Sequence, residues 1–440
     1  MVAVPATILG TLLGALTGCT SRSGHPPTVV VVVVDTLRQD RLGTYGYDLP
    51  TSPHLDALAR QSVVYQQAYA QAPWTTPSMA SLLTSRYPAD LAIHSSEHGV
   101  PQGVQTLAEV LEDQGFATGA AVSHLLCGSS RGFDQGYDLF DESGIVSPDQ
   151  DSSAAVTDAA IAFVDAHPGE PLLLTTHYFD PHASYLRHEE FPFAVDPAYR
   201  GSLQPGLDFE RLVSMVPSMS SQDLAELNRQ YDSEIAYTDQ HIGRLLAHLD
   251  QVGRLDTALV IVTADHGEEF MDHGMLGHTK TLYDEVLRVP LLVRFPAGIG
   301  RSEPTPVALL DVMPTILQTL DLDAPEGMEG TALTPTAEEA ARSIFAETRT
   351  SRHLRAVIHQ GYKLVVRTDT PNAPVELYAL RADPAEASNL SRHPQATPVV
   401  EALSTGLTAW AELTPSFEPT MVQAQEGEEE HLRALGYVDD

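Results

Sequence analysis

The sequence predicts an α/β fold in which a mostly parallel sheet is flanked by helices, with a smaller α+β region following it. Two short apolar runs carry this prediction, Val29–Val34 and Ala258–Thr263. Continuous β-branched runs of this length are typical of strands buried on both faces, as in parallel sheets. Between the two runs, helical and strand-like patterns alternate, which indicates right-handed crossovers and helices on both sides of the sheet.

The helices of the large domain are marked by their end signals and their amphipathic spacing. Ser52 precedes a proline at the first turn of one helix, and Pro77 opens another that places Thr75 and Thr76 at its N-terminal end. Backbone N–H groups and the helix dipole favour an anion at such an end. The predicted helices are Ser52–Arg60, Pro77–Leu83, Val104–Gln114, Ala154–Ala166 and Ser221–Val252, and the further strands are Ala117–Val122 and Pro171–Thr176.

A smaller region is indicated after the apolar segment Val289–Phe295, where the alternation of strands and helices stops. The sequence predicts a large domain at 28–330, an α+β subdomain at 331–422 and an acidic tail at 423–440, in which Gln423–Glu430 is expected to be solvated. The helices predicted after the large sheet are Asp311–Leu320 and Thr397–Glu412, and the antiparallel strands are Ser343–Thr348, Arg355–His359 and Tyr362–Arg367.

Residues 1–19 are typical of a lipoprotein signal peptide. Val2–Gly18 is apolar and ends at Cys19, and a polar tether at 20–27 follows. We therefore expect Cys19 to become the lipidated first residue of an exported protein that is anchored in a bacterial cell envelope. An uncleaved N-terminal membrane anchor is the alternative, because no Lys or Arg precedes the apolar segment. Both alternatives export the domain across a membrane.

The charge balance excludes polyanionic partners. The chain has 25 Lys and Arg against 59 Asp and Glu, a formal net charge of −34. Such a chain repels nucleic acid and anionic membrane surfaces. We expect no nucleic-acid partner, and contact with a membrane only through the lipidated N-terminus.

Polar side chains follow both apolar runs, at the ends where parallel sheets place their ligands. Asp35 comes directly after the first run, and Asp265 and His266 follow the second. Carboxylate and imidazole groups are common protein ligands of divalent metals, and here they are expected at the same edge of a sheet. The sequence therefore predicts a divalent cation held by Asp35, Asp265 and His266.

Five motifs, in this order along the chain, resemble the sulfatase family of the alkaline-phosphatase superfamily. The motifs are Val-Val-Asp35-Thr-Leu-Arg, Thr75-Thr-Pro77-Ser78, His177-x4-His182, Thr-Ala-Asp265-His266-Gly-Glu and His278-x-Lys280-x2-Tyr-x4-Arg288-Val-Pro. The resemblance covers most of the chain, from residue 28 to residue 413. It implies an alkaline-phosphatase-like fold and metal-dependent chemistry on sulfate or phosphate esters.

The chain departs from the family at the nucleophile. Aligning Pro77-Ser78 with the family motif puts Thr75 where a cysteine or serine is matured to formylglycine, and Met79 where the family has arginine. Threonine cannot become formylglycine, but it is a competent nucleophile when a metal lowers the pKa of its hydroxyl. Related phosphodiesterases and phosphoethanolamine transferases use threonine in this way. The resemblance therefore implies a Thr75 nucleophile, with an inactive relic as the alternative.

A second departure concerns the metal. Ordinary sulfatases have two adjacent aspartates after the first strand and bind calcium, whereas Thr36 takes the second position here. Calcium takes about six to eight oxygen ligands. Asp35, Asp265, His266 and Thr75 offer fewer ligands and one of them is a nitrogen, so we expect one Zn or Mn rather than Ca. A second metal remains an alternative.

The remaining histidines of the cleft are assigned by the resemblance. His182 and His278 are implied to hold the oxygens of the transferred group, to protonate the leaving oxygen or to bind a second metal. His177 and Asp180 lie beside His182 in the sequence and could join such a second site.

The leaving-group side of the pocket is expected to differ from that of an arylsulfatase. Ser123 and Leu125 stand where the family has a Lys-x-His pair, with His124 between them. His124 is therefore a candidate for substrate binding, together with Arg38 near the rim and Lys280, which is offset by one position from the family lysine.

These inferences predict a metal-dependent sulfatase-family hydrolase that acts on small-molecule, glycan or lipid esters of sulfate or phosphate. Phosphodiester or phosphonate chemistry is favoured, because Thr75 has to be regenerated by attack on the central atom. A phosphoethanolamine-type transferase and a non-catalytic, sulfatase-like binding lipoprotein are the alternatives.

Overall fold

The computed structural model describes residues 26–193, 196–296, 298–333, 342–422, 427–435 and 437. The signal peptide predicted at 1–19, with Cys19, lies outside these residues. None of the helices in the described ranges combines the length and the apolar character needed to cross a lipid bilayer.

The strands of the described residues form one large sheet, a four-stranded sheet and two short pairs. They are β1 Thr28–Val34, β2 Val63–Tyr69, β3 His98–Gly99, β4 Ala117–Val122, β5 Leu139–Asp141, β6 Leu172–Tyr178, β7 Ala258–Thr263, β8 Glu269–Phe270, β9 Leu276–Gly277, β10 Arg288–Arg294, β11 Arg301–Ala308, β12 Ile344–Arg349, β13 His353–His359, β14 Tyr362–Arg367, β15 Glu376–Ala379 and β16 Thr420–Met421. The large sheet has the order β11-β2-β10-β7-β1-β6-β4-β5.

Helices cover the large sheet, as the alternating pattern predicts. They are α1 Pro53–Ala59, α2 Thr75–Thr84, α3 Leu107–Asp113, α4 Ser153–Ala166, α5 Phe209–Met215, α6 Ser221–Gln251, α7 Asp284–Leu287, α8 Val312–Thr319, α9 Thr397–Ala411 and α10 Glu428–Ala434. α4 packs on β4, β6 and α6, and α2 packs on α8. The predicted fold, a mostly parallel sheet between helices with a smaller antiparallel sheet beyond it, is confirmed.

Four neighbouring strands in the middle of the large sheet run parallel, in the order β7-β1-β6-β4. The register aligns Val33 of β1 with Thr263 on one side and with His177 on the other, and aligns His177 with Val122 of β4. All residues of β1, β6 and β7 are buried. The carboxyl ends of four strands from distant parts of the chain therefore lie side by side at one edge.

The sequence does not reveal every strand of the large sheet. β2 and β11 lie at its far side, where β11 is an edge strand, and their sequences are partly polar, so neither contains a continuous apolar run. β10 runs antiparallel to both β7 and β2, which makes the sheet mixed on that side. β6 also extends two residues beyond its predicted end at Thr176, to Tyr178.

The C-terminal region contains the predicted antiparallel sheet and also a helix that was not predicted. Strands β12 to β15 pair in sequence order, and α9 packs on β13 and β14. The tail at 423–440 was expected to be acidic and its residues 423–430 to be solvated, but Glu428 is buried. In its described part, α10 forms, and Leu432 and Leu435 are buried. The burial of two leucines outweighs the acidic composition of the segment.

Lys363 in β14 links the C-terminal sheet to the large domain. Its side chain is fully buried, and its ammonium group lies 2.8 Å from carboxylate oxygens of both Asp284 and Glu386. We expect Lys363→Met to lower the free energy of unfolding by about 3–5 kcal/mol, because two carboxylates stay buried without the lysine. Unfolding in denaturant measures the free energy of unfolding of the variant and the wild type. Arg367→Met, which removes an exposed ion pair with Asp369, is the control and should leave the midpoint unchanged. Equal midpoints for the two variants would contradict the prediction.

Candidate active site

In the described structure, two buried carboxylates with unpaired oxygens lie at the edge of the large sheet where the four parallel strands end. Asp35 follows β1 and Asp265 follows β7, and both are fully buried. Oδ1 of Asp265 accepts from the backbone N–H groups of His266 and Thr36, at 2.9 and 3.4 Å. Its Oδ2 and both oxygens of Asp35 have no hydrogen-bond partner among the described residues. Burial, and then the charge of Asp265, raise the pKa of Asp35 well above its usual value.

Two imidazoles face these carboxylates. Nε2 of His266 is 3.5 Å from Oδ1 of Asp35 and 3.5 Å from Oδ2 of Asp265. Nδ1 of His266 donates to the carbonyl of Gly267 at 3.0 Å, so Nε2 keeps its lone pair. Nε2 of His177 is 3.8 Å from Asp35 and 3.7 Å from Asp265, and neither of its ring nitrogens has a hydrogen-bond partner in the described structure.

These four side chains fit a divalent cation. The ligand atoms of Asp35, Asp265 and His266 lie within 4.8 Å of one another, and His177 adjoins both carboxylates. Unpaired buried carboxylates are costly, and a bound cation would offset that cost. His177 was expected only as a possible member of a second site. It joins the first because β6 continues through it, in register with the end of β1.

The hydroxyl of Thr75 lies beside this cluster. Thr75 is the first residue of α2, is fully buried, and its Oγ1 lies 3.5 Å from Nε2 of His266. Two further contacts fix the start of the helix: Oγ1 of Thr76 donates to the carbonyl of Leu126 at 2.7 Å, and Oγ of Ser78 donates to the carbonyl of Asp265 at 2.5 Å. The N-terminal end of α2 is thus attached to the residues that follow β7, which keeps the Thr75 hydroxyl next to the carboxylates.

His182 and His278 present lone pairs to the same space. Nδ1 of His182 donates to the carbonyl of Ala183 at 2.8 Å, and Nδ1 of His278 donates to Glu268 at 2.9 Å, so each Nε2 is an acceptor. Burial lowers the pKa of His182 to about 3 and that of His278 to about 4, and both rings are therefore neutral. In this form they can take up a proton, but they cannot donate to the oxygens of a transferred group.

His124 carries its ring proton on Nε2, whereas His182 and His278 carry theirs on Nδ1. Its Nδ1 accepts from the backbone N–H of Leu126 at 2.9 Å, and burial lowers its pKa well below the usual value. The single proton of the neutral ring is therefore on Nε2, 3.9 Å from Asp35. Ligand atoms of Asp35, His124 and His182 also lie within 4.8 Å of one another. The proton on Nε2 nevertheless makes His124 a hydrogen-bond donor rather than a metal ligand.

Other predicted site residues have different environments. The guanidinium of Arg38 donates to Asp40 at 2.9 Å and to Asp272 at 2.9 Å, which commits it to ion pairs at the rim. Asp180 accepts from the backbone at the start of α4 and lies outside the cluster, because it serves as a helix cap. Lys280 is half-buried, and its charge adds to the effect of burial on the pKa of His278.

Sequence reasoning missed Tyr437 completely. Its Oη lies 2.8 Å from Nε2 of His278, 3.2 Å from Oγ1 of Thr75 and 3.3 Å from Nε2 of His182. The only sequence signal is the spacing of Leu432 and Leu435, which marks a short apolar face before the tyrosine. The acidic residues that precede this face predicted a solvated tail instead.

Comparison with known proteins identifies the family. Residues 27–322, which include all four residues of the carboxylate and imidazole cluster, match the family described as Sulfatase. The chain belongs to the sulfatase family. Residues 272–412 of this sulfatase also match the family described as N-sulphoglucosamine sulphohydrolase, C-terminal.

Individual relatives agree with this assignment. This sulfatase is 26% identical to an ulvan-active sulfatase of Formosa agariphila, over 84% of this chain and 78% of that protein. It is 29% identical to arylsulfatase A of Homo sapiens, over 83% of each chain. Its fold is similar to that of a phosphonate monoester hydrolase of Agrobacterium radiobacter, with a TM-score of 0.72 at 20% identity, covering 88% of this chain and 96% of the other.

Family membership establishes the class of reaction. Sulfatases hydrolyse ester bonds, and this chain is accordingly an enzyme, a hydrolase that acts on esters. Members of the family typically bind a divalent metal, which agrees with the cluster of buried carboxylates and imidazoles.

Proposed function

We propose that this sulfatase transfers a phosphate- or sulfate-type group from an ester to Thr75 and then to water. The observation that carries the proposal is the position of the Thr75 hydroxyl. It lies at a helix N-terminus, 3.5 Å from a ring nitrogen of the carboxylate and imidazole cluster. A buried hydroxyl in this position has the surroundings that an activated nucleophile needs.

Asp35, Asp265, His266 and His177 would hold a divalent cation next to Thr75. Two oxygens and two nitrogens favour Zn or Mn over Ca, which takes more oxygen ligands than this cluster offers. A bound cation of this kind lowers the pKa of a neighbouring hydroxyl and neutralises negative charge on the transferred group.

The protein groups account for the proton transfers. Oγ1 of Thr75 forms a bond to the central atom of the ester as the bond to the leaving oxygen breaks. The proton of Thr75 passes to a neutral imidazole, His278 or His182, whose Nε2 keeps a lone pair. That imidazolium then protonates the leaving oxygen. In the second half of the reaction, water attacks the central atom and the bond to Oγ1 of Thr75 breaks. The same base accepts a proton from the water and returns it to Oγ1.

Phosphorus esters fit this chemistry better than sulfate esters. A threonine ester has no hydroxyl group through which it could eliminate its sulfate, as a formylglycine hydrate does, so release requires a second attack on the central atom. We therefore favour phosphodiesters or phosphonate monoesters. The likeness of the fold to a phosphonate monoester hydrolase is compatible with this choice.

We also propose that the enzyme works outside the cytoplasm, attached to the bacterial cell envelope by a lipid at Cys19. This rests on the apolar segment Val2–Gly18 that precedes the cysteine. Substrates would then be small-molecule, glycan or lipid esters that reach the enzyme in that compartment.

A panel of esters with metal analysis tests the proposed function. We expect the Zn- or Mn-loaded enzyme to hydrolyse bis-p-nitrophenyl phosphate and a phosphonate monoester at least about 10-fold faster, in kcat/KM, than p-nitrophenyl sulfate. The reason is the second displacement on the central atom. Faster turnover of the sulfate ester would contradict the preference for phosphorus. Products formed with an added acceptor alcohol separate hydrolysis from transfer.

A further inference from the structure

An anionic group in this site needs hydrogen-bond donors, and few side chains supply them. Met79 replaces the family arginine, and Ser123 and Leu125 replace the Lys-x-His pair. His182 and His278 present lone pairs, because their Nδ1–H groups donate elsewhere. A lone pair repels the oxygens of a phosphate or sulfate.

His124 and Tyr437, two side chains outside the carboxylate and imidazole cluster, offer a proton to this space. The Nε2–H of His124 points towards Asp35. The hydroxyl of Tyr437 donates to Nε2 of His278 at 2.8 Å and lies within 3.3 Å of both His182 and Thr75. A tyrosine hydroxyl can rotate its proton from an imidazole to an incoming oxygen, since it is both a donor and an acceptor.

The C-terminal segment is built to deliver this hydroxyl. Glu428, in the first turn of α10, is buried and forms an ion pair with buried Arg131. At the other end of the segment, Leu432 packs into the hydrophobic core and Leu435 is buried. An ion pair and two buried leucines therefore hold residues 427–435 in place next to Tyr437.

The ring of Tyr437 also fits the mouth of the site. It lies 6.4 Å from Trp74, 5.8 Å from His124 and, nearly parallel, 6.0 Å from His182, measured between ring centroids. Its Oη is 3.2 Å from Oγ1 of Thr75, which is the distance at which a reacting atom has to approach a nucleophile. The hydroxyl thus lies in the space that the reacting group of an ester has to enter.

We propose that Tyr437 is a substrate-binding residue, and that residues 427–435 complete the active site by bringing its hydroxyl to the transferred group. When an ester enters, the hydroxyl moves off Thr75 and donates to an oxygen of the phosphate- or sulfate-type group. The proposal rests on the proposed function for the identity of that group.

Tyr437→Phe removes only the hydroxyl and is the direct test. We expect kcat/KM for bis-p-nitrophenyl phosphate to fall about 10- to 100-fold, the usual loss for a hydrogen bond to a charged group. Calorimetric binding of inorganic phosphate to the metal-loaded protein should weaken by a similar factor. Tyr199→Phe is the matched control, because it removes a hydrogen-bonded hydroxyl outside the site. It should change neither quantity.

Glu428→Gln tests the delivery of the hydroxyl without touching the site. Weakening the ion pair with Arg131 should lower kcat/KM and phosphate affinity in the same direction as Tyr437→Phe, but less. Unchanged or increased kcat/KM and phosphate affinity in Tyr437→Phe would overturn the proposal, because the tyrosine would then only obstruct the site. Phosphate binding requires no turnover, so it distinguishes a failure here from a failure of the Thr75 mechanism.

Discussion

Thr75→Ala is expected to lower kcat/KM for a phosphodiester by at least about 1000-fold while leaving the fold and the metal content unchanged. The threonine hydroxyl forms the covalent bond in the proposed reaction, and removing a nucleophile usually costs at least this much. Thr75 is a small residue at the start of α2, so alanine preserves the helix. Steady-state kinetics with bis-p-nitrophenyl phosphate, and metal analysis after dialysis, measure the two quantities.

Thr84→Ala is the matched control, because it is a threonine of the same helix and its hydroxyl donates to the carbonyl of Ala80 instead of facing the cluster. Its kcat/KM should stay within about 3-fold of the wild type, while Thr75→Ser should retain activity because it keeps the hydroxyl. Wild-type turnover in Thr75→Ala would place the nucleophile elsewhere. Loss of bound metal in that variant would show instead that Thr75 is needed as a ligand.

Asp35→Asn is expected to have opposite effects on the metal-free and metal-loaded protein. Without metal, the variant should be more stable by about 1–3 kcal/mol, because asparagine removes a buried charge that has no partner and lies beside Asp265. With metal, the wild type should gain about 2.7 kcal/mol at a concentration of 100 times Kd, and the variant should gain little. Its turnover should fall at least about 1000-fold, since the cation supplies several kcal/mol to the reaction.

Thermal unfolding with a chelator and with added Zn or Mn measures both effects. Asp232→Asn is the control, because Asp232 is equally buried but forms an ion pair with Arg41 and accepts from Tyr47. It should be destabilised in both conditions. A metal-free Asp35→Asn protein that is less stable than the wild type would mean that Asp35 has a structural partner.

Sequence analysis predicts positions most directly for residues that come after continuous apolar runs. Asp35 and Asp265 end two strands that are buried on both faces, and such runs can be recognised without knowledge of their neighbours. That they lie close together follows from parallel pairing of the two strands. β2 and β11 were not recognised, because partly polar strands have no continuous apolar run.

The remaining site residues depend on tertiary contacts that a local pattern does not contain. His177 was placed in a loop because its strand was expected to end at Thr176, and only pairing with β1 shows that β6 continues. The tautomer of His124 is set by one backbone N–H of its own turn. Arg38 was a candidate for substrate binding, but its guanidinium forms an ion pair with Asp272, which is far away in the sequence.

The position of β1 in the sheet has a consequence for how the enzyme is made. Its two neighbouring strands, β6 and β7, are synthesised long after β1. β7 is the later of the two, so β1 has both partners only when β7 has been made. Asp35 therefore has no place to bind a metal until most of the polypeptide has emerged and folded. The proposed metal site thus forms only once β7 has paired with β1, and fragments that end before Ala258 should bind no cation with the affinity of the whole chain.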